Sequence, residues 1–94
     1  MPRNPERSYQ LRRAAKRDRN EPEIIAALKR AGCLVYQLDL PVDLLVLRAG
    51  RLHLLEVKDK RGSLTQGQEA FLAQGWPVTV VWTAEQALAA VNLL

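Results

Sequence analysis

The fold is decided by residues 41–58, which read PVDLLVLRAGRLHLLEVK. Two apolar runs, residues 44–47 and 52–57, lie on either side of a short Arg-Ala-Gly-Arg turn, which is typical of a β-hairpin. Each run carries a carboxylate where a buried strand should have none, because Asp43 opens the first run and Glu56 lies near the end of the second. If the two runs pair, Asp43 and Glu56 lie at the same end of adjacent strands, within reach of one ion.

The residues before this hairpin predict a helix and a strand. Asn20 is a good N-cap, and Ile24 and Leu28 follow at helical spacing. Gly32 is the residue type that most easily takes the left-handed conformation beyond a helix end. Residues 33–38 then predict a strand, so the hairpin is preceded by a helix and a first strand.

The residues after the hairpin predict a helix, a strand and a final helix. Thr65 caps a helix that runs to about Gln74, residues 77–82 form a short β-branched strand, and residues 83–92 form the last helix. The side chains of the middle helix expected to face the core are Leu64, Ala70, Phe71 and Ala73. The element order is α-β-β-β-α-β-α, which predicts an α/β fold with a central mixed β-sheet flanked by helices.

Length and composition predict one small domain. A chain of 94 residues builds only a marginal core, so association between copies would add stability. The chain has no run of about 18 apolar residues and no signal peptide, which predicts a cytoplasmic protein. The single Cys33 has no second cysteine with which to form an internal disulfide or a zinc site.

The positive charge is concentrated at the start of the chain. Seven of the fourteen basic residues lie within residues 1–20, against two acidic ones. We therefore divide the chain into a basic arm, residues 1–19, and a nearly neutral domain, residues 20–94. A basic arm predicts a polyanion partner, because each phosphate contact releases counterions; the alternative is a solvated tail without a partner. The residues expected to contact DNA are Arg12, Arg13, Lys16, Arg17, Arg19, Lys60 and Arg61.

Four short segments together resemble the PD-(D/E)xK nuclease superfamily. They read Asn-Glu-Pro-Glu-Ile, Asp-Leu-Leu-Val, Leu-Leu-Glu-Val-Lys and Leu-Thr-x-x-Gln, in this order from Asn20 onward. More narrowly, the chain resembles the small stand-alone VRR-Nuc proteins, which are often found in phage and prophage and are similar to Holliday-junction resolvases. The family's adjacent Pro-Asp pair is interrupted here by Val42, and the usual preceding glycine is missing. The resemblance implies a small restriction-endonuclease-like fold.

The resemblance also implies a metal site. Asp43 and Glu56 would bind Mg²⁺ or Mn²⁺ through hard oxygen ligands, with the carbonyl of Val57 as a third ligand. Glu23, in the first turn of the first helix, matches the family's N-terminal acidic residue and would complete the site directly or through water. The remaining coordination positions would hold water and a phosphate oxygen.

Two further residues would act on the substrate. Lys58 would hold or activate the attacking water, or neutralise charge in the transition state, and Gln68 would hydrogen-bond metal-bound water or a phosphate. The implied reaction is hydrolysis of a DNA phosphodiester that leaves a 5′-phosphate and a 3′-hydroxyl. Symmetric cutting of branched or four-way-junction DNA implies a homodimer. Candidates for its interface are Trp76, Trp82 and the apolar C-terminal helix, with a place in the core as the alternative for both tryptophans.

Ordinary readings remain for each of these residues and for the whole chain. Lys58 and its neighbours could be a solvated strand end, Asp43 a turn residue, and Glu23 a carboxylate that favours a helix start. Besides an endonuclease, the chain could be a DNA-binding module of the same fold that does not cleave, acting in phage recombination or packaging. It could also be an adaptor that binds RNA or protein through the basic arm.

Overall fold

The computed structural model describes residues 18–59 and 62–92. Most of the basic arm lies outside the described residues, and the same holds for six of the residues expected to contact DNA: Arg12, Arg13, Lys16, Arg17, Lys60 and Arg61.

Within the described residues, three helices and four strands follow one another in the predicted order. They are α1 (Glu21–Arg30), β1 (Leu34–Gln37), β2 (Leu44–Arg48), β3 (Arg51–Val57), α2 (Gln66–Ala73), β4 (Val78–Val81) and α3 (Ala84–Ala90). The strands form one sheet in the order β1-β2-β3-β4. The pairs β1–β2 and β2–β3 are antiparallel, whereas β3–β4 is parallel. The predicted α/β class with a mixed sheet is therefore confirmed.

The β2–β3 hairpin fixes the position of the two carboxylates. Ala49 and Gly50 both have positive φ, 52° and 77°, as in the tight turns whose twist suits a two-residue hairpin. The resulting register pairs Leu44 with Leu55. Asp43 immediately precedes Leu44 and Glu56 immediately follows Leu55, so both carboxylates lie at the same end of the hairpin.

The core lies on one face of the sheet, beneath α1 and α3. Strand residues alternate between faces, and one set of alternate residues meets the apolar stripes of these two helices. Each fully buried Val or Leu stabilises the fold by about 1.5–3 kcal/mol. The fully buried side chains of this core are Ile24, Leu28, Leu44, Val46, Leu55, Val57, Val81, Ala87 and Val91.

Helix α2 departs from the prediction, because none of its residues is buried. Ala70 and Ala73 are exposed, and Leu64 and Phe71 are only half-buried. The prediction that these side chains face the core was wrong: Phe71 instead stacks on Trp76, with ring centroids 5.3 Å apart. In this helix, the polar side chain of Gln68 contacts the sheet, through a hydrogen bond to Glu56. None of the three described helices has the length and apolar character that a membrane crossing requires.

Candidate active site

Asp43 and Glu56 form a buried carboxylate pair at the end of the β2–β3 hairpin. Only 7% of Asp43 and 2% of Glu56 is accessible to solvent. The Oδ2 atom of Asp43 accepts a hydrogen bond of 2.8 Å from the backbone N–H of Val57. This bond holds the Asp43 side chain across the strand end, where it also hydrogen-bonds the Glu56 carboxyl group. The predicted proximity of these two residues is therefore observed.

The pair does not carry two full negative charges at neutral pH. Burial, followed by the charge and the hydrogen bond of Asp43, raises the pKa of Glu56 to about 7, although the nearby Lys58 acts in the opposite direction. The Oε1 atom of Glu56 is buried and has no hydrogen-bond partner among the described residues. A buried acceptor without a donor is costly, so this oxygen has free capacity for a cation or for a proton.

Lys58 provides a positive charge beside the pair. Its Nζ atom lies 3.5 Å from Oε2 of Glu56, and 11% of its side chain is exposed. The backbone N–H of Lys58 donates to the carbonyl of Val81, which continues the β3–β4 ladder and fixes the chain at this point. Gly62 lies close to the Lys58 side chain, because a Cβ atom added there would be 3.2 Å from its Cδ atom. Lys58 is therefore positioned by two neighbouring segments, the end of β4 and the loop at Gly62.

Gln68 reaches the pair from the first turn of α2. Its Oε1 atom accepts from the backbone N–H of Thr65 at 2.9 Å, while Thr65 Oγ1 accepts from the N–H of Gln68 at 3.1 Å. This capping box confirms the predicted Thr65 cap. Because Oε1 is used by the cap, Nε2 is the atom that points inward, and it donates to Oε2 of Glu56.

Asn20 connects the start of α1 to the site. Asn20 is the N-cap residue, as predicted, but its side chain makes no capping hydrogen bond. Its Nδ2 atom instead donates to the carbonyls of Lys58, at 3.0 Å, and Trp82, at 2.7 Å. The amide therefore connects the ends of the two parallel strands, β3 and β4, to the start of α1.

We expected Glu23 at the carboxylate pair, and the structure does not place it there. Glu23 is exposed, and no contact with the carboxylate pair is described for it. Glu21 is 1% exposed, making it the buried acid of this helix. The signal for it lies in the sequence, since Glu21, Ile24 and Leu28 share one helix face at spacings of three and four. Burial separates the two acids of this helix, but no described contact places either of them beside Asp43 and Glu56.

Asp18 is a site residue that the sequence did not reveal. We assigned it to the basic arm, yet its carboxylate accepts a hydrogen bond from the backbone of Asp59. It also interacts electrostatically with Lys58 and Asp43. Burial, followed by the charge of Asp59, raises the pKa of Asp18 above its usual value. Arg19, the next residue, is exposed and lies within the described part of the predicted arm.

The residues present fit a divalent cation in part. Among residues 18–59 and 62–92, no three His, Cys, Asp or Glu side chains form a group able to hold a metal. Asp43 and Glu56 supply two carboxylates, and hard cations commonly complete their shell with backbone carbonyls and water. Glu56 Oε1 is the acceptor with unused capacity, and Val57 contributes backbone at the same point. The donor set matches Mg²⁺ or Mn²⁺ rather than a softer metal.

Comparison of the chain with protein-family models, with curated proteins and with solved structures found no match.

Proposed function

We propose that the protein is a Mg²⁺- or Mn²⁺-dependent endonuclease that hydrolyses phosphodiester bonds in DNA. The observation that carries the proposal is the buried Asp43–Glu56 pair, with the unpartnered Oε1 atom of Glu56 and the Nζ atom of Lys58 beside it. Two carboxylates and a lysine at one strand end are the residues through which the sequence resembles the PD-(D/E)xK nucleases. The α/β fold with a mixed sheet is compatible with that resemblance.

The chemistry assigned to each residue follows from its contacts. A divalent ion bound by Asp43 and Glu56 would supply a polarised phosphate and a water of lowered pKa. Lys58 is a cation that cannot be a metal ligand, and its position 3.5 Å from Glu56 suits it to hold the attacking water or to balance charge on the phosphate. Gln68 fixes the orientation of the Glu56 carboxylate through Oε2 and leaves Oε1 for the ion.

The proposed substrate is branched DNA such as a four-way junction, cut by a homodimer in the cytoplasm. The predicted basic residues would contact phosphates and recognise shape without reading bases. Glu23 is exposed, and the described acids form no group of three. We therefore propose that Asp43 and Glu56 hold the ion, with backbone oxygen and water completing its shell.

A DNA-binding module of the same fold that does not cleave is the second candidate. One observation favours it: within the described part of the chain, the carboxylates do not form a group of three. Glu56 already has Gln68 and Lys58 as partners in the absence of an ion. In this reading, the buried polar network only stabilises the strand ends.

A cleavage assay tests the proposal. Labelled four-way-junction, flap and linear duplex DNA are incubated with the protein in Mg²⁺ or Mn²⁺, with EDTA as the negative control. We expect branched DNA to be cut, and the Glu56→Ala and Lys58→Ala variants to be slower by roughly 100-fold or more, as for other groups that stabilise a transition state. The exposed Glu85→Ala variant is the matched control and should cut at the wild-type rate.

Two outcomes would contradict the proposal. If the protein binds branched DNA but cuts nothing in either metal, the module that does not cleave is the better description. If it does not bind DNA at low salt, where phosphate contacts are strongest, neither the endonuclease nor the DNA-binding module describes the protein. An adaptor that binds RNA or protein is then the remaining hypothesis.

A further inference from the structure

One face of the sheet is apolar and largely uncovered. The register of β1, β2 and β3 places six apolar side chains on the face opposite the core. One of them, Leu54, is half-buried and lies outside the concave region described below. We call the other five the open face: Leu34, Tyr36, Leu45, Leu47 and Leu52. Leu34, Tyr36 and Leu52 are 68%, 66% and 67% exposed, whereas Leu45 and Leu47 are half-buried. These side chains line a concave region of about 460 Å³. The helices α1 and α3 cover only the other face.

The open face has the apolar area that one side of a protein interface needs. A fully accessible aromatic side chain presents about 150–250 Å² and a leucine less, so the five residues of the open face together expose roughly 450 Å². An interface of standard size buries about 800 Å² per partner, of which about 57–65% is apolar. These values agree, so a single partner could cover the open face completely.

The chemistry of the open face excludes a polyanion and favours a second copy. Lys29 is the one charged residue that lines the concave region within the described part of the chain, which is too little positive charge for phosphate binding. The first seventeen residues of the chain are also unsuited, since they contain six basic side chains and one acidic one. A twisted sheet face of leucines, in contrast, packs well on an identical face about 10 Å away.

We propose that the open face is the interface of a homodimer, in which the sheets of two copies pack against each other around a two-fold axis. This assignment names the surface for the dimer that the proposed function requires, and it replaces Trp76 and Trp82 as the predicted interface. A chain of this length has a small core, and covering the open face adds a second apolar layer.

The interface is separate from the carboxylate pair. Leu52 and Glu56 are on the same face of β3, four residues apart, which is about 13 Å along a strand. A substitution at Leu52 therefore changes the interface without contacting Asp43, Glu56 or Lys58. The oligomeric state and DNA cleavage can be measured independently, so failure of the dimer and failure of the nuclease proposal are distinguishable.

Sedimentation velocity of the full chain tests the assignment. Interfaces of this size have dissociation constants between micromolar and picomolar, so we expect a species of twice the 10.6 kDa chain mass at about 50 µM. The Leu52→Lys variant should be monomeric at that concentration, because it would bury a charge. The Ala89→Lys variant, at an exposed position of α3, is the matched control and should remain dimeric.

Circular dichroism establishes that each variant is folded, and Leu52→Ser serves as a milder second variant if the lysine variant is not. A wild-type protein that stays monomeric at about 50 µM would overturn the assignment, as would a dimer that survives both Leu52 variants. A truncated chain lacking residues 1–17 gives a third result: if only this chain dimerises, the terminal segment covers the open face and the assignment is wrong.

Discussion

The burial of Glu56 predicts that the metal-free protein loses stability as the pH rises. Folding raises the pKa of this carboxyl group from 4.5 to about 7. Below pH 4.5 the group is protonated in both the folded and the unfolded state, so its contribution to the free energy of unfolding is fully present. As the pH rises through about 7, the folded state must also ionise and the contribution is lost. At about 1.4 kcal/mol for each pH unit between the two values, the loss is roughly 3 kcal/mol.

Urea unfolding in EDTA at about pH 5 and pH 8 measures this loss. The wild-type protein should lose roughly 2–3 kcal/mol more than the Glu56→Gln variant, because glutamine has the same shape and does not titrate. The raised pKa of Asp18 gives a loss of the same sign, but it is present in both proteins and cancels in the difference. Glu85→Gln, at an exposed position, is the matched control and should behave as the wild type.

Adding Mn²⁺ at about pH 8 should restore the stability of the wild type, by about 2.7 kcal/mol at a concentration of 100 times the dissociation constant. The Glu56→Gln variant should gain much less, since it lacks one ligand charge. Equal loss of stability in the wild type and the variant between the two pH values would refute the reasoning, because Glu56 would then be ionised in the folded protein at neutral pH.

Two other substitutions test the contacts around the pair. Asn20→Ala removes two hydrogen bonds and should lower the free energy of unfolding, measured in urea, by about 1–3 kcal/mol. The control Arg19→Ala should change it little. Equal effects of the two substitutions would mean that the Asn20 contacts contribute nothing. Gln68→Glu replaces the donor to Glu56 with a carboxylate, so at about pH 8 it should destabilise the protein by about 1–2 kcal/mol. Gln66→Glu, exposed in the same helical turn, should be neutral or slightly stabilising, and the same result for both glutamines would contradict the inward orientation of Gln68.

The features that the sequence predicts are those with a local cause. The period of two in the apolar runs and the Ala49-Gly50 turn are enough to place Asp43 beside Glu56. The spacing between Thr65 and Gln68 is that of a capping box, which also fixes the direction of the Gln68 amide. The element order follows in the same way, because each helix and strand has its own start and stop signals.

The features that the sequence hides depend on distant contacts. Asn20 reads as a helix cap, and only the folded chain brings the carbonyls of Lys58 and Trp82 to its side chain. Asp18 lies among basic residues in the sequence, yet in the fold it lies near Lys58 and Asp59. The burial of Glu21 rather than Glu23 could be predicted from the sequence, because Glu21 shares the helix face of the core residues. The family resemblance pointed to Glu23 instead.

Because α2 is attached mainly through polar contacts, it should detach from the sheet at a lower free energy than the rest of the domain unfolds. This helix contributes no buried residue to the core, whereas α1 and α3 are held by the apolar layer under the sheet. Segments with few buried apolar contacts open at a lower free energy than the whole domain unfolds. A minor population with α2 detached would leave the strands and the carboxylate pair intact, with Glu56 freed from Gln68 and open to solvent. The rate at which protons or ions exchange at the pair would then be set by the motion of this one helix.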